Sequence, residues 1–256
     1  MTKTACSYSA LFAFSAFCIG LTACSTGPLQ PATAAGTTTL PSGGVYKGTV
    51  PAHGNAILVM LFDGTAYLFY GAASPGMSGL GGVVVASNGS QSASGRFTST
   101  TAQNYSVQSH AASPVTFDAD FARAPAVTGS ARTQGGESLT FSTTSDQMLG
   151  ADPARATVAG LYTGRGGSLQ GATNSKLTVT GDGFLAGTTG MGCVFKGTVA
   201  PHSGVNAYDV SITFGPAPCP QPGTTLGGTA VLDGARLLAA LPLPGRSDAF
   251  VFDGTK

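Results

Sequence analysis

The sequence predicts an all-β fold: two small antiparallel up-and-down barrels of the lipocalin-like kind, or one twisted β-sandwich, behind a signal peptide and a flexible tether. Three observations carry this expectation. Short apolar runs recur from Gly44 onward, and several are separated by Asp-Gly or Asn-Gly, the strongest short-range hairpin signal. Glu137 is the only glutamate, and no run of strong helix formers is long enough to cover a sheet. The strand theme then restarts near residue 156. The 256 residues accordingly divide into a signal segment at 1–23, a tether at 24–43, a first β domain at 44–155 and a second at 156–256.

The N-terminal segment carries one cation, Lys3, then the apolar stretch Ala10–Gly20, then small residues ahead of Cys24. That is the n-region, h-region and cleavage-site order of a secretory signal. The stretch is shorter than the roughly 18–20 residues of a spanning helix, which argues against a transmembrane anchor. Ordinary cleavage near Ala23 would release a free protein. Leu21-Thr22-Ala23-Cys24, however, resembles the lipobox of bacterial lipoproteins. The resemblance implies that Cys24 becomes the first residue, takes diacylglycerol on its sulfur and an acyl group such as palmitate on its nitrogen. At about 0.8 kcal/mol per buried CH₂, several acyl chains hold a protein on a membrane effectively permanently. Ser25, in place of the aspartate that retains such proteins at the inner membrane in enterobacterial-type sorting, implies the cell outer membrane. Residues 25–43 hold three prolines, no charge and no hydrophobic period, and read as a flexible tether.

On the same resemblance Cys6 and Cys18 leave with the signal and Cys24 takes the lipid. Cys193 and Cys219 then remain as an even pair in an oxidising compartment, and a disulfide is expected. The loop it closes would contribute roughly 3–4 kcal/mol through chain entropy. A metal site would need more ligands nearby than His202.

In the first half, strands are expected at Val45–Val50, Ala56–Phe62, Thr65–Tyr70 and Gly82–Ala86, the second and third joined across Asp63-Gly64. Weaker ones follow around Gly95–Thr98, Val115–Phe121, Val127–Ser130 and Ser138–Phe141. Thr116–Phe121 alternates, with Phe117, Ala119 and Phe121 on one face, as in a half-buried strand. Thr144–Ala156 breaks the rhythm and reads as a loop or short helical turn.

The second half opens with Gly160-Leu161-Tyr162-Thr163-Gly164, echoing Gly44-Val45-Tyr46-Lys47-Gly48, and then turns a hairpin across Asp182-Gly183 as the first half does across Asp63-Gly64. A second echo sets Val194-Phe195-Lys196-Gly197-Thr198-Val199 against Val45-Tyr46-Lys47-Gly48-Thr49-Val50. The two echoes demand different registers. Either the halves are a degenerate duplication, the favoured reading, or one strand solution recurs within a single architecture. Further strands are expected at Cys193–Val199, Ala207–Phe214, Gly227–Leu232, Arg236–Leu243 and Ala249–Phe252. About eight strands per half suit a small closed barrel, which leaves no exposed edge.

Charged residues make up 9% of the chain, against about 25% in average soluble domains. With Lys3 removed, cations and anions balance at eleven each, so no basic stripe exists for nucleic acid. Gly76-Met77-Ser78-Gly79-Leu80 lacks the final glycine of a nucleophile elbow. His53, His110 and His202 lie in turn-rich stretches without metal-ligand spacing. Asp63, Asp182, Asp233 and Asp253 each precede Gly, where a carboxylate supports a turn. Gly164-Arg165-Gly166-Gly167 is not followed by the Lys-Ser/Thr of a phosphate loop. Lys47 and Lys196 read as solvated outward residues. No catalytic residue, metal site or cofactor is expected.

In organisation the chain resembles the tethered two-barrel surface lipoproteins of Gram-negative bacteria, such as the factor H-binding and transferrin-binding types. The run Gly192–Gly197 with Cys219 also looks like a class of uncharacterised envelope lipoproteins. These resemblances imply a membrane-anchored, non-catalytic binding protein that engages a protein or small ligand through its loops. A periplasmic inhibitor of a cell-wall hydrolase and a structural partner of an envelope assembly are the alternatives. Barrels of this kind serve unrelated functions, so no binding residue follows from the resemblance.

Overall fold

The computed structural model describes residues 42–73, 79–146 and 153–256. The signal segment, Cys24, most of the tether, Gly76-Met77-Ser78 and residues 147–152 of the expected break lie outside the described residues.

Nine strands come from the first half: β1 (Gly44–Val50), β2 (Gly54–Met60), β3 (Ala66–Gly71), β4 (Leu80–Ala86), β5 (Ser90–Gln91), β6 (Arg96–Ser106), β7 (Ala111–Asp120), β8 (Ala126–Thr133) and β9 (Ser138–Ser145). Consecutive strands pair antiparallel, except β4 with β5. Strand β4 pairs with β6, and β9 returns to β1, which closes an eight-stranded up-and-down barrel with β5 as a two-residue addition. After a single helical turn, α1 (Arg155–Val158), come β10 (Gly160–Ser168), β11 (Thr173–Val179), β12 (Phe184–Thr189), β13 (Val194–Pro201), β14 (Tyr208–Phe214), β15 (Thr225–Asp233), β16 (Arg236–Pro242) and β17 (Ala249–Thr255). These close in sequence order through β10 and β17. The two-barrel expectation holds, and the single sandwich does not.

Local chemistry sets the hairpins. Gly64, Gly183 and Gly234 take positive φ between their strands, and Asp63 Oδ1 accepts the Thr65 N–H at 2.8 Å. The fourth Asp-Gly pair is different. Asp253-Gly254 lies inside β17, so the expected turn is corrected to a strand, and Asp253 has another task described below.

Alternation then fills both barrels. In β7, Val115, Phe117 and Ala119 point inward and are buried, while Thr116 and Asp120 are exposed. Phe117 lies between Phe97, edge-on at 6.1 Å, and Phe141, stacked at 5.5 Å. In the second barrel Phe195, Phe214 and Phe250 meet edge-on with centroids 5.1–6.2 Å apart. Both lumens are therefore packed with side chains rather than hollow.

The Tyr-x-Gly echo acquires a physical cause. Tyr46 and Tyr162 fill the lumens, and the glycine two residues on faces the same way. At Gly48 a Cβ would run into the Ser142 carbonyl across the β1–β9 seam, and at Gly164 into the Asp253 carbonyl across the β10–β17 seam. The aromatic packs the interior while the glycine lets the closing strand come in close. Phe195 and Gly197 repeat the device between β13 and β14, which is not a closing seam. The same close approach of a neighbouring carbonyl to glycine therefore recurs at Gly48, Gly164 and Gly197.

Candidate binding site

Some strands are apolar on both faces. In β2, Ala56, Leu58 and Met60 enter the first lumen, while Ile57 and Val59 face the other way and are equally buried. What covers them is the second barrel: Val231, Leu238, Ala240, Ala249 and Val251 of β15–β17 belong to the same apolar cluster. Both barrels lie in one compact unit. Continuous rather than alternating hydrophobicity is the mark of two-sided burial, and Ile57–Leu61 and Leu237–Leu241 carry it.

Polar contacts rim this joint. Arg236 donates to Asp253 through Nε at 2.7 Å and Nη2 at 2.9 Å, and the Leu80 N–H of the other barrel donates to Asp253 Oδ2 at 2.8 Å. The Asp253 carboxylate holds Arg236 above its already high pKa, its hydrogen bond outweighing the opposing effect of burial. Lys47 does not stand in solvent as expected, because it pairs across the joint with Asp233. Asp233 was expected to serve its own turn, and its carboxylate serves the joint instead. Arg246, at positive φ in the β16–β17 loop, donates to Val85 O at 2.8 Å, to Ser87 Oγ at 2.9 Å and to Thr101 O. His110 Nδ1 donates to Leu169 O, and Gln170 Nε2 donates to His110 O.

Clefts open at the joint and at the barrel mouths. The joint cleft, about 520 Å³, runs between His53, Asn55, Phe69, Leu80 and the pair Asp233 and Arg236. Its charged groups already hold protein partners. The mouth of the second barrel is a smaller cup of about 280 Å³, lined by Phe214, Phe250, Leu243, Met191, Pro218 and Pro220 with Asp248 and Gln170 at its edge. A disulfide joins Cys193 to Cys219 and ties the β14–β15 loop, one wall of the cup, to the end of the β12–β13 turn. Met191 is 66% exposed on that turn and Val194 is 56% exposed just beyond it. The mouth of the first barrel, about 460 Å³, is polar by contrast.

The remaining sequence candidates occupy structural positions. His53 Nδ1 donates to Gly71 O at 3.1 Å, and His202 Nδ1 lies 2.8 Å from Asp209 Oδ1. Asp182 accepts the Thr180 hydroxyl, which holds its carboxyl below the usual range. Lys196 is exposed on β13. Among the described residues no three His, Cys, Asp or Glu side chains gather as a metal site would require. Sequence reasoning missed the cup because its residues come from four separate connections and carry no common motif.

A scan against protein-family models finds no match, and a search of curated proteins finds none either. A search of solved structures finds the isotype 1 transferrin binding protein B from serogroup B Neisseria meningitidis, at a TM-score of 0.30 and 9% sequence identity. The match covers 79% of this chain and spans 65% of the length of that one.

Proposed function

We propose that this chain is a lipid-anchored, non-catalytic binding protein of the outer membrane that holds a protein partner by the mouth of its second barrel. Cys24 is the anchor and residues 24–43 are the tether in this reading. The observation that carries it is the apolar cup. Barrel mouths are a common place for ligand sites, which are mostly apolar with a few polar groups to set orientation. At about 280 Å³ the cup falls just below the roughly 300–1,000 Å³ typical of drug-sized ligands. It suits one apolar anchor side chain of a protein loop, the kind of contact that dominates binding energy. Met191 and Val194 extend the apolar surface outward from it, and the disulfide fixes its wall in advance of binding.

The test is a photo-crosslinking amino acid placed at Met191 in living cells, with Thr178 on the exposed outer face of β11 as the control position. A discrete protein adduct is expected at Met191 alone. It should disappear on Gly171→Leu, because a Cβ at Gly171 has ordinary contact distance, 3.6 Å, to Met191 Sδ and the longer side chain would fill the cup. Equal adducts at both positions, or one indifferent to Gly171→Leu, would overturn the reading. Protease treatment of intact against permeabilised cells then separates a partner outside the cell from one in the periplasm.

A further inference from the structure

We infer that the mouth of the first barrel is a second, chemically different binding site, one for a neutral N-acetylated saccharide. Its floor is apolar, made by the buried side chains of Val50, Val115 and Ala131 with Leu139 beside them. Its walls carry neutral hydrogen-bonding groups, among them Asn104, Ser106, Ser113 and Thr133. No lysine or arginine lines it, and the imidazole in the lining, His53, already gives its Nδ1 to Gly71 O at 3.1 Å, which together disfavour an anion. The polar wall disfavours a purely apolar ligand, for which those groups would be desolvated without partners. A saccharide offers what the cleft lacks: hydroxyls that both donate and accept, with C–H faces between them.

Two side chains give the site its orientation. The Tyr70 hydroxyl donates to Asn104 Oδ1 at 2.7 Å, which leaves the Asn104 amide N–H groups as donors with no partner among the described residues. Glu137 is the one carboxylate in the lining, and its side chain has no hydrogen-bond partner among the described residues, so it is available to accept from hydroxyls. An acetamido group fits this pattern, with its methyl on the Val115 and Leu139 floor and its carbonyl accepting from Asn104. The walls differ from those of the second barrel's cup even though the strand plan is the same. The two mouths therefore take unlike ligands.

The experiment is calorimetric titration of the full-length protein in detergent with N-acetylglucosamine trimer, maltotriose and inorganic phosphate. The trimer is expected to bind and the other two to bind at least about tenfold more weakly or not at all. Asn104→Asp keeps the acceptor for Tyr70 and removes the donors. It should weaken the trimer about five- to tenfold, the loss expected of one hydrogen bond, without changing the melting temperature. Asn104→Ala should weaken the trimer as much but also lower the melting temperature, because it leaves the buried Tyr70 hydroxyl without its acceptor. No heat with the trimer, preference for phosphate, or an Asn104→Asp variant that binds as well as the parent would each overturn the site. Equal binding of the two saccharides would overturn the N-acetyl assignment. The Met191 crosslink reports the other barrel and is expected to be unaffected by either Asn104 variant.

Discussion

Lys47 Nζ lies 2.7 Å from Asp233 Oδ1 and 3.1 Å from Asp146 Oδ2, so one cation of the first barrel holds a carboxylate of the second. Burial pushes the Lys47 pKa down, but the hydrogen bonds to Asp233 and Asp146 outweigh it and the net shift is upward from 10.5. A raised folded-state value means that the stabilisation is complete below the unshifted value of 10.5 and is lost as pH climbs through the folded value. About a third of each Lys47 and Asp233 side chain remains in solvent, so screening keeps the contribution small. Lys47→Ala is expected to lower the unfolding free energy by about 1 kcal/mol or less at neutral pH, read by denaturant titration. A loss several times larger would mean that the pair, rather than the apolar surface beneath it, holds the joint.

The tyrosines should report unfolding. Burial raises the pKa of Tyr46, Tyr67, Tyr70, Tyr105, Tyr162 and Tyr208, with Tyr70 and Tyr162 pushed up to about 12. In the unfolded chain each would ionise near 10. Their protonated forms thus stabilise the fold below 10, and that stability drains away as pH rises from there toward 12. Tyrosinate absorbance is expected to rise steeply and together with loss of the β-sheet circular dichroism signal. A gradual titration centred near 10 with the fold intact would contradict the buried placement of these rings.

Legibility followed exposure. Where one face of a strand meets water, as in Thr116–Phe121, alternation made the strand and its inward residues readable. Asp63-Gly64 and Asp182-Gly183 gave their hairpins for the same local reason. Strand β6 is much longer than the expected Gly95–Thr98. Its continuation through Ser99, Thr100 and Thr101 carries no apolar signal, and its partners β4 and β7 define it instead. The joint was half-legible, since the unbroken apolar runs of β2 and β16 state that both faces are buried without stating against what. Asp253, Lys47 and the cup were not legible at all, because each depends on residues brought together from distant strands.

Gly164 offers a test of the closing seam. A methyl there would meet the Asp253 carbonyl, whereas at Gly227, on the neighbouring-strand path of β15, a Cβ has nothing within 4 Å and φ is not positive. Gly164→Ala should cost about 1–3 kcal/mol, as overpacking does. Gly227→Ala should be neutral or stabilise by about 0.5–1 kcal/mol through reduced freedom of the unfolded chain. Thermal unfolding of the two variants side by side separates a crowded seam from a general intolerance of side chains in glycine-rich strands.

The Cys193–Cys219 bridge links the stability of the second barrel to the shape of its mouth. The residues are 26 apart in sequence, and closing a loop of that length is worth about 3 kcal/mol in the chain-entropy model. For a chain of this size the double replacement Cys193→Ala/Cys219→Ala should lower the melting temperature by about 6–12 °C. The local effect is the more informative one. The β14–β15 loop is otherwise held by a few backbone hydrogen bonds, Gly215 N to Val194 O at 2.8 Å and Cys219 N to Pro216 O at 3.1 Å among them. Without the bridge, amide hydrogen exchange should accelerate across Gly215–Thr224 while the strands β13 and β14 stay protected, because few buried contacts hold the loop down. The Met191 crosslink should weaken in parallel as the cup loses its fixed wall. Unchanged exchange in that loop would mean that the wall is held by its own packing, and the bridge would then act on the unfolded chain alone.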